Sequence, residues 1–473
     1  MTPQESVERA LAAARCDEAI VIADEKSEAN LRWAANSLTT NGVSRSRQLT
    51  VIAVSRGADG TRAGVVSRAG VREDQVADVV AAAERAAGQS APAEDARDLL
   101  GPGDAEAFGV KEGPDPGQPG WDDEPGSTGI GVFGTFSPAL GEAFETAAAA
   151  GRNLYGYAEH SLTSTFIGTS SGLRLRHDQP TGKADINAKS GEPGGSAWAG
   201  RATSDFTDVD VARIAADLGQ RLDWSRRQVE LPAGRYQTLL APSAMADLFV
   251  YLYWSMGAKD ALDGRTVFSK PGGGTRVGER LASMPVTLRS DPRAAGLRCA
   301  PFVIARASSR EISVFDNGLA IPPVAWLDGG MVSALTQTRS TAELSGLPAT
   351  PGTDNLILEG TGGGGASLGE LIAGTRRALL VTCLWYIREV DPQTLLLTGL
   401  TRDGVYLVED GEVTGAVNNF RFNESPVGML GRLAEVGGTV PALPREWGGY
   451  FTRTAMPPAR FEDFNMSSVS QAS

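Results

Sequence analysis

Histidine is almost missing from this chain. Its 473 residues include only His160 and His177, and neither is followed by glutamate. A common zinc-peptidase helix places two histidines and a glutamate as H-E-x-x-H or a near variant, and that helix cannot be built here. Cysteine is scarce too. Cys16, Cys299 and Cys383 are odd in number and far apart, with no C-x-x-C pair. A redox motif and a thiolate zinc knuckle are thereby excluded, and the three read as reduced structural thiols. Basic charge is in deficit: 44 Lys and Arg against 57 Asp and Glu give a formal net charge of −13. Nucleic acid and anionic membrane both need basic faces, so neither is an expected partner. No stretch approaches the ~18 apolar residues of a membrane span. No signal peptide is read at the N-terminus, because Thr2-Pro3-Gln4-Glu5 forms a capping box before a charged, alanine-rich helix. The expected location is the cytoplasm.

The chain is too long for one core, and two domains are expected. Its 57 glycines and 26 prolines imply many turns. In the first half, Ala19–Ala23, Leu31–Ala34, Gln48–Val54 and Gly64–Ser67 read as strands, with Asn41-Gly42 as a hairpin turn. Asp74–Ala87 has the helical period, with Val76, Val79, Val80 and Ala83 on one face. Ser137-Pro138 opens a helix through Ala150, and Thr207 or Asp208 opens another through Leu222. Ser164–Ile167, Leu173–Arg176 and Asp185–Ala188 continue the strand pattern, with His160 in a connector and His177 exposed at a strand end. Residues 101–131 are rich in proline and glycine and read as a long loop wrapping the domain.

The second half opens with strand Tyr236–Ala241 and a helix from Pro242 through Met256. Ile312–Phe315, Asn355–Leu358, Leu379–Tyr386, Leu395–Leu400 and Val405–Val408 read as strands, with Glu409-Asp410-Gly411-Glu412 as a hairpin turn. Ser367-Leu368-Gly369-Glu370 is a second capping box. The fold class expected is α+β. An N-terminal α/β domain over residues 1–228 has helices packed on a mixed sheet. A β-rich C-terminal domain with short helices covers residues 229–473.

Four segments carry a resemblance. They are Gly234-Arg235-Tyr236-Gln237-Thr238-Leu239-Leu240-Ala241-Pro242; Asp354-Asn355-Leu356-Ile357-Leu358-Glu359-Gly360; Leu368-Gly369-Glu370-Leu371-Ile372; and Arg421-Phe422-Asn423-Glu424-Ser425-Pro426 with Leu430 after it. Their order and spacing resemble the TldD/PmbA family, and within it the PmbA (TldE) branch. The resemblance covers nearly the whole chain. It implies a pair of subunits that degrades unfolded peptides or trims peptide precursors. TldD-like subunits carry a His-Glu-x-x-x-His helix and a later cysteine as zinc ligands, and TldE-like subunits lack these and pair with TldD.

Held against that pattern, the helix opened by Pro242 stands where the metal motif falls. It reads Leu248-Phe249-Val250-Tyr251-Leu252-Tyr253-Trp254-Ser255, with no first-rank zinc ligand and no carboxylate base. The family's cysteine lies beyond the segment matched by Asn423-Glu424-Ser425, and this chain has no cysteine after Cys383. No catalytic residue, no metal ligand and no cofactor are therefore expected in this chain, with zinc in a TldD-like partner subunit. Ala307-Ser308-Ser309-Arg310 replaces an acidic Asp-Glu-Gly stretch of the branch. Gly362, Gly363 and Gly364, with Asn423, Glu424 and Ser425, are the candidate contacts for peptide or partner. The alternative is a stand-alone peptide-binding or scaffold homodimer.

Two other chemistries are disfavoured. Gly360-Thr361-Gly362-Gly363-Gly364-Gly365 is followed by Ala366-Ser367-Leu368, without the Gly-Lys-Ser/Thr that ends a phosphate-binding loop. A serine triad would need His160 or His177, and no Gly-x-Ser-x-Gly elbow accompanies either.

Overall fold

A computed structural model describes residues 1–107, 119–191, 195–361 and 365–470. Strand Glu18–Ala34 (β1) and strand Ser37–Gly57 (β2) form one long hairpin. Its turn is Ala35-Asn36, both left-handed at φ 48° and 60°. Two such residues make the turn that matches strand twist. Asn36 is locked there: its Oδ1 accepts the Leu154 N–H at 2.7 Å, and its Nδ2 donates to the Arg152 carbonyl at 2.8 Å. The expected Asn41-Gly42 turn instead lies inside β2, opposite Leu31 and Asn30. The tertiary anchor on Asn36 outcompetes the stronger local signal.

Strands Gly60–Ala69 (β3), Arg152–Thr169 (β4), Arg174–Ser190 (β5) and Ser196–Thr203 (β6) complete a sheet of order β3-β2-β1-β4-β5-β6. Every pairing is antiparallel, where a mixed sheet was expected. β1, β2 and β3 are joined by hairpins, as are β4, β5 and β6, and antiparallel pairing follows within each set. Strand period decides the two faces. Val21, Ala23, Ala29, Leu31 and Trp33 of β1 face helices Pro3–Ala13, Val76–Gln89, Phe136–Ala149 and Val211–Trp224. Ile20 and Ile22, on the other face, pack on Phe302, Val314 and Phe315 of the second half. Thr2 caps the first helix in the predicted capping box.

The second half holds two sheets. Six strands run in the order Met331–Val332, Val324–Asp328, Val286–Ser290, Leu356–Gly360, Thr454–Met456 and Val440–Ala442. A ten-stranded sheet is centred on Ala459–Val469, Gly234–Leu240 and Arg377–Val381, and it includes Gln228–Val229. Helix Pro242–Trp254 belongs to the large core that both sheets share, with Leu248, Phe249, Val250 and Leu252 all buried. A helix that is apolar on every side belongs in an interior.

Two expected strands change. Ile312–Phe315 is replaced by a 3-10 turn, Val314–Asp316, with the Ser313 hydroxyl accepting the Phe315 N–H at 3.2 Å. Leu379–Tyr386 divides into Arg377–Val381 and Trp385–Asp391, because the chain leaves the first strand at Thr382 and Tyr386 turns to φ 53°. Among the described residues, no helix is long and apolar enough to cross a membrane.

Candidate functional site

Helix Pro242–Trp254 carries one acidic group, Asp247, which is wholly buried. Its Oδ1 accepts the Glu446 N–H at 2.9 Å and its Oδ2 accepts the Arg445 N–H at 3.2 Å. Its carbonyl accepts Trp447 Nε1–H at 2.9 Å. Burial pushes the Asp247 carboxyl well above the usual range, while the two backbone N–H groups pull it back. Both oxygens are thus committed to pinning the 445–447 turn onto the helix. Tyr251, Trp254 and Trp447 stack beside it, with ring centroids 5.2–6.3 Å apart.

Arg445 fills the adjacent space. Its guanidinium lies 4.4 Å from the Trp385 ring centre and 5.5 Å from that of Trp198, a residue of β6. It donates to Asp403 Oδ2 at 2.8 Å and to the Arg402 carbonyl at 3.0 Å. Cys383 Sγ sits 3.2 Å from Arg445 Nη1, and burial pushes that thiol up despite the cation. These groups join the halves of the chain; they do not form a ligand set. Among the described residues, no three His, Cys, Asp or Glu side chains are grouped to hold a metal ion. A catalytic zinc site needs three such ligands and an open position, so the residues present do not fit one.

Of the expected contact residues, Asn423, Glu424 and Ser425 have partners within the chain. Gly362, Gly363 and Gly364 lie outside the described residues. Next to them, Gly365 runs so close to Gly437 and Gly438 that a Cβ would meet the Gly437 carbonyl carbon at 2.5 Å. The close backbone approach read from the glycines is made, at this position, with the chain's own backbone. Glu424 is buried, paired with Arg432 Nη2 at 2.5 Å and accepting the Asn465 N–H at 2.6 Å. Ser425 caps the short helix Pro426–Leu430 and donates to the Thr394 carbonyl at 2.6 Å. The Asn423 carbonyl accepts from Asn465 Nδ2 at 3.2 Å, and its Oδ1 is buried without a hydrogen-bond partner among the described residues. The Ala307–Arg310 stretch likewise serves docking: Ser308 donates to Asp95 and Arg310 pairs with Asp260 and Asp263.

Neither histidine stands where it was expected. His160 is buried inside β4, not in a connector, with Nδ1 at 2.8 Å from Thr128 Oγ1 and Nε2 at 2.7 Å from the Ser204 carbonyl. Both ring nitrogens are occupied. His177 lies within β5 and not at an exposed end. Its Nε2 is 3.0 Å from Gln179 Oε1, and its ring meets Phe302 edge-on at 6.4 Å. Burial holds its pKa below the usual histidine value.

His177 opens onto the feature that the sequence did not show, a cavity of about 620 Å³. It is lined by β5 from Arg174 to Thr181, by the 292–302 segment and by Thr452, Arg453 and Thr454. Residues 119–121, from the described part of the expected loop, stand at its side. They are held there by Arg176, which donates to the Gly120, Asp123 and Glu124 carbonyls at 2.7–2.8 Å. Cys299 also lines the cavity, but burial pushes its thiol up to about 12, which leaves it unreactive as a nucleophile. No signal in the sequence links these segments, because they are distant along the chain and each reads locally as ordinary loop or strand.

The fold is a two-part α+β architecture. Residues 135–226 match the PmbA/TldA metallopeptidase central domain and residues 233–468 match the PmbA/TldA metallopeptidase C-terminal domain. The chain belongs to the TldD/PmbA family. TldE from Thermococcus kodakarensis has a similar structure, with a TM-score of 0.78 at 16% identity, covering 98% of this chain and 99% of that one. The proposed DNA gyrase modulators of Thermotoga maritima MSB8 and Bacteroides thetaiotaomicron VPI-5482 give TM-scores of 0.75 and 0.73, each at 16% identity. The first covers 98% of this chain and 99% of its own, the second 99% and 98%. No curated protein sequence matches the chain.

Proposed function

We propose that this chain is the metal-free subunit of a two-subunit zinc peptidase of the TldD/TldE type. It pairs with a TldD-like subunit that holds the zinc, and it helps to enclose an unfolded or extended peptide. No residue of this chain is catalytic in this reading, and the chain holds no cofactor of its own. The complex acts in the cytoplasm.

The observation that carries the reading is helix Pro242–Trp254. Its side chains are committed to the core, and its one carboxylate is committed to the Arg445 and Glu446 N–H groups. A peptidase helix in this place would need ligands aimed at an open position. Strand Trp385–Asp391 ends the ten-stranded sheet among the described residues, which adds support, because an extended peptide can join a sheet edge through main-chain hydrogen bonds without sequence demands.

Co-expression with a TldD-like subunit tests the pairing. The two chains are expected to elute together on gel filtration as one complex. Two separate peaks, each at its own size, would refute the proposal.

A further inference from the structure

The cavity beside His177 has a feature that the peptidase reading does not use. Arg453 lines it and is half-buried, yet no carboxylate among the described residues pairs with it. Its Nη2 donates to the Pro180 carbonyl at 3.2 Å and to Thr181 Oγ1. Its Nε and Nη1 have no hydrogen-bond partner among the described residues, and Asp354 acts on it only through space. An anion beside a guanidinium drawn partly out of water compensates its charge.

Neither carboxylate in the lining pairs with Arg453. Asp178 is held by Arg176 at 2.9 Å, and Asp208 accepts from Thr203. Arg298 lines the same cavity, is exposed, and has no ion pair among the described residues. His177 adds no charge near neutral pH, because burial disfavours its cation. Two guanidinium groups without an ion pair among the described residues therefore face one cavity in a protein of net charge −13. The rest of the wall is largely apolar, from Leu175, Leu297 and Phe302. About 620 Å³ suits a ligand of a few residues, within the usual ~300–1,000 Å³ of small-ligand sites.

We infer that this cavity binds a carboxylate carried on an apolar body, with the Nη1–H groups of Arg453 as its anchor and Arg298 as the second cation. Nη1 of Arg453 can donate charge-assisted hydrogen bonds to a carboxylate, and Leu297 and Phe302 offer the surface for an aliphatic side chain. The C-terminal end of an apolar peptide has this chemistry, and so does a free small acid. The inference does not rest on pairing with a zinc subunit, since the isolated full chain is what is tested.

The test is calorimetric titration of the full chain with the peptide Ala-Ala-Leu-Leu as free acid and as C-terminal amide, and with N-acetyl-leucine. The free acid is expected to bind at least about tenfold more tightly than the amide, and its affinity is expected to fall with added salt. Tighter binding of the tetrapeptide acid than of N-acetyl-leucine assigns the site to peptide ends, and equal binding assigns it to small acids; both keep the carboxylate. Arg453→Gln is expected to abolish the preference for acid over amide. Arg453 also bonds Pro180 and Thr181, so Arg298→Ala, at an exposed position, serves as the second variant and is expected to weaken the acid about threefold with the fold intact. Equal affinity of wild type for acid and amide overturns the inference, and so does the absence of binding at millimolar acid.

Discussion

Replacing Asp247 by alanine tests whether the Pro242–Trp254 helix is a structural element or a chemical one. The carboxylate is wholly buried and accepts the N–H groups of Glu446 at 2.9 Å and Arg445 at 3.2 Å. Each donor left without a partner costs about 1–3 kcal/mol, so two cost about 2–6 kcal/mol. Relief from burying a carboxylate offsets part of this, which leaves a net loss of about 2–4 kcal/mol. Asp247→Asn keeps one acceptor and turns an amide N–H toward the other donor, so its loss should be smaller but clear. Urea unfolding followed by tryptophan fluorescence reads the change, and Trp447, bonded to the Asp247 carbonyl at 2.9 Å, reports from the site. Burial raises the Asp247 pKa, so the folded chain holds this proton to higher pH than the unfolded one. Its contribution to stability is therefore full below about pH 3.9 and declines as pH rises through the folded value; Asp247→Asn removes that part of the slope. An alanine variant as stable as wild type would refute the assignment.

Four further outcomes follow from the same geometry. His177 has a depressed pKa, so its contribution is full above about pH 6.5 and is lost as pH falls through the folded value; His177→Gln should flatten that loss in urea titrations between pH 7.5 and 5. Arg445→Lys loses the stacking on Trp385 and Trp198 and part of the Asp403 contact, and should cost about 1–3 kcal/mol by the same unfolding assay. Asp24→Asn weakens the pair with Arg306, whose side chain is 39% exposed, and should cost no more than about 1 kcal/mol, less in high salt. Of the three thiols, Cys299 and Cys383 are buried and only Cys16 is partly open, so a thiol reagent on native protein should modify at most one group until denaturant is added.

Local signals were legible where one short motif decides the backbone. The Thr2 and Ser367 capping boxes form as read, and so does the turn at Asp410-Gly411, where both residues take positive φ. The Ala35-Asn36 turn was hidden because Asn36 is held by Arg152 and Leu154, more than a hundred residues away in sequence. The antiparallel order of the first sheet was hidden likewise, since pairing of β1 with β4 spans the long helical excursion between them. At the helix, the sequence alone shows that Pro242–Trp254 holds no histidine or cysteine, because absence of a residue type needs no fold. Asp247 was overlooked, since a lone acid in an apolar helix shows its partners only in three dimensions. The cavity needed β5, the 292–302 segment and Arg453 side by side, and no pattern along the chain places them there.

The central claim is that this chain assists a catalyst without being one. Peptidase assay of an unfolded protein substrate, with this chain alone, a TldD-like subunit alone and the two mixed, tests it most directly. The account predicts no cleavage by this chain alone and rapid, chelator-sensitive cleavage by the mixture. Chelator-sensitive cleavage by this chain alone would contradict it.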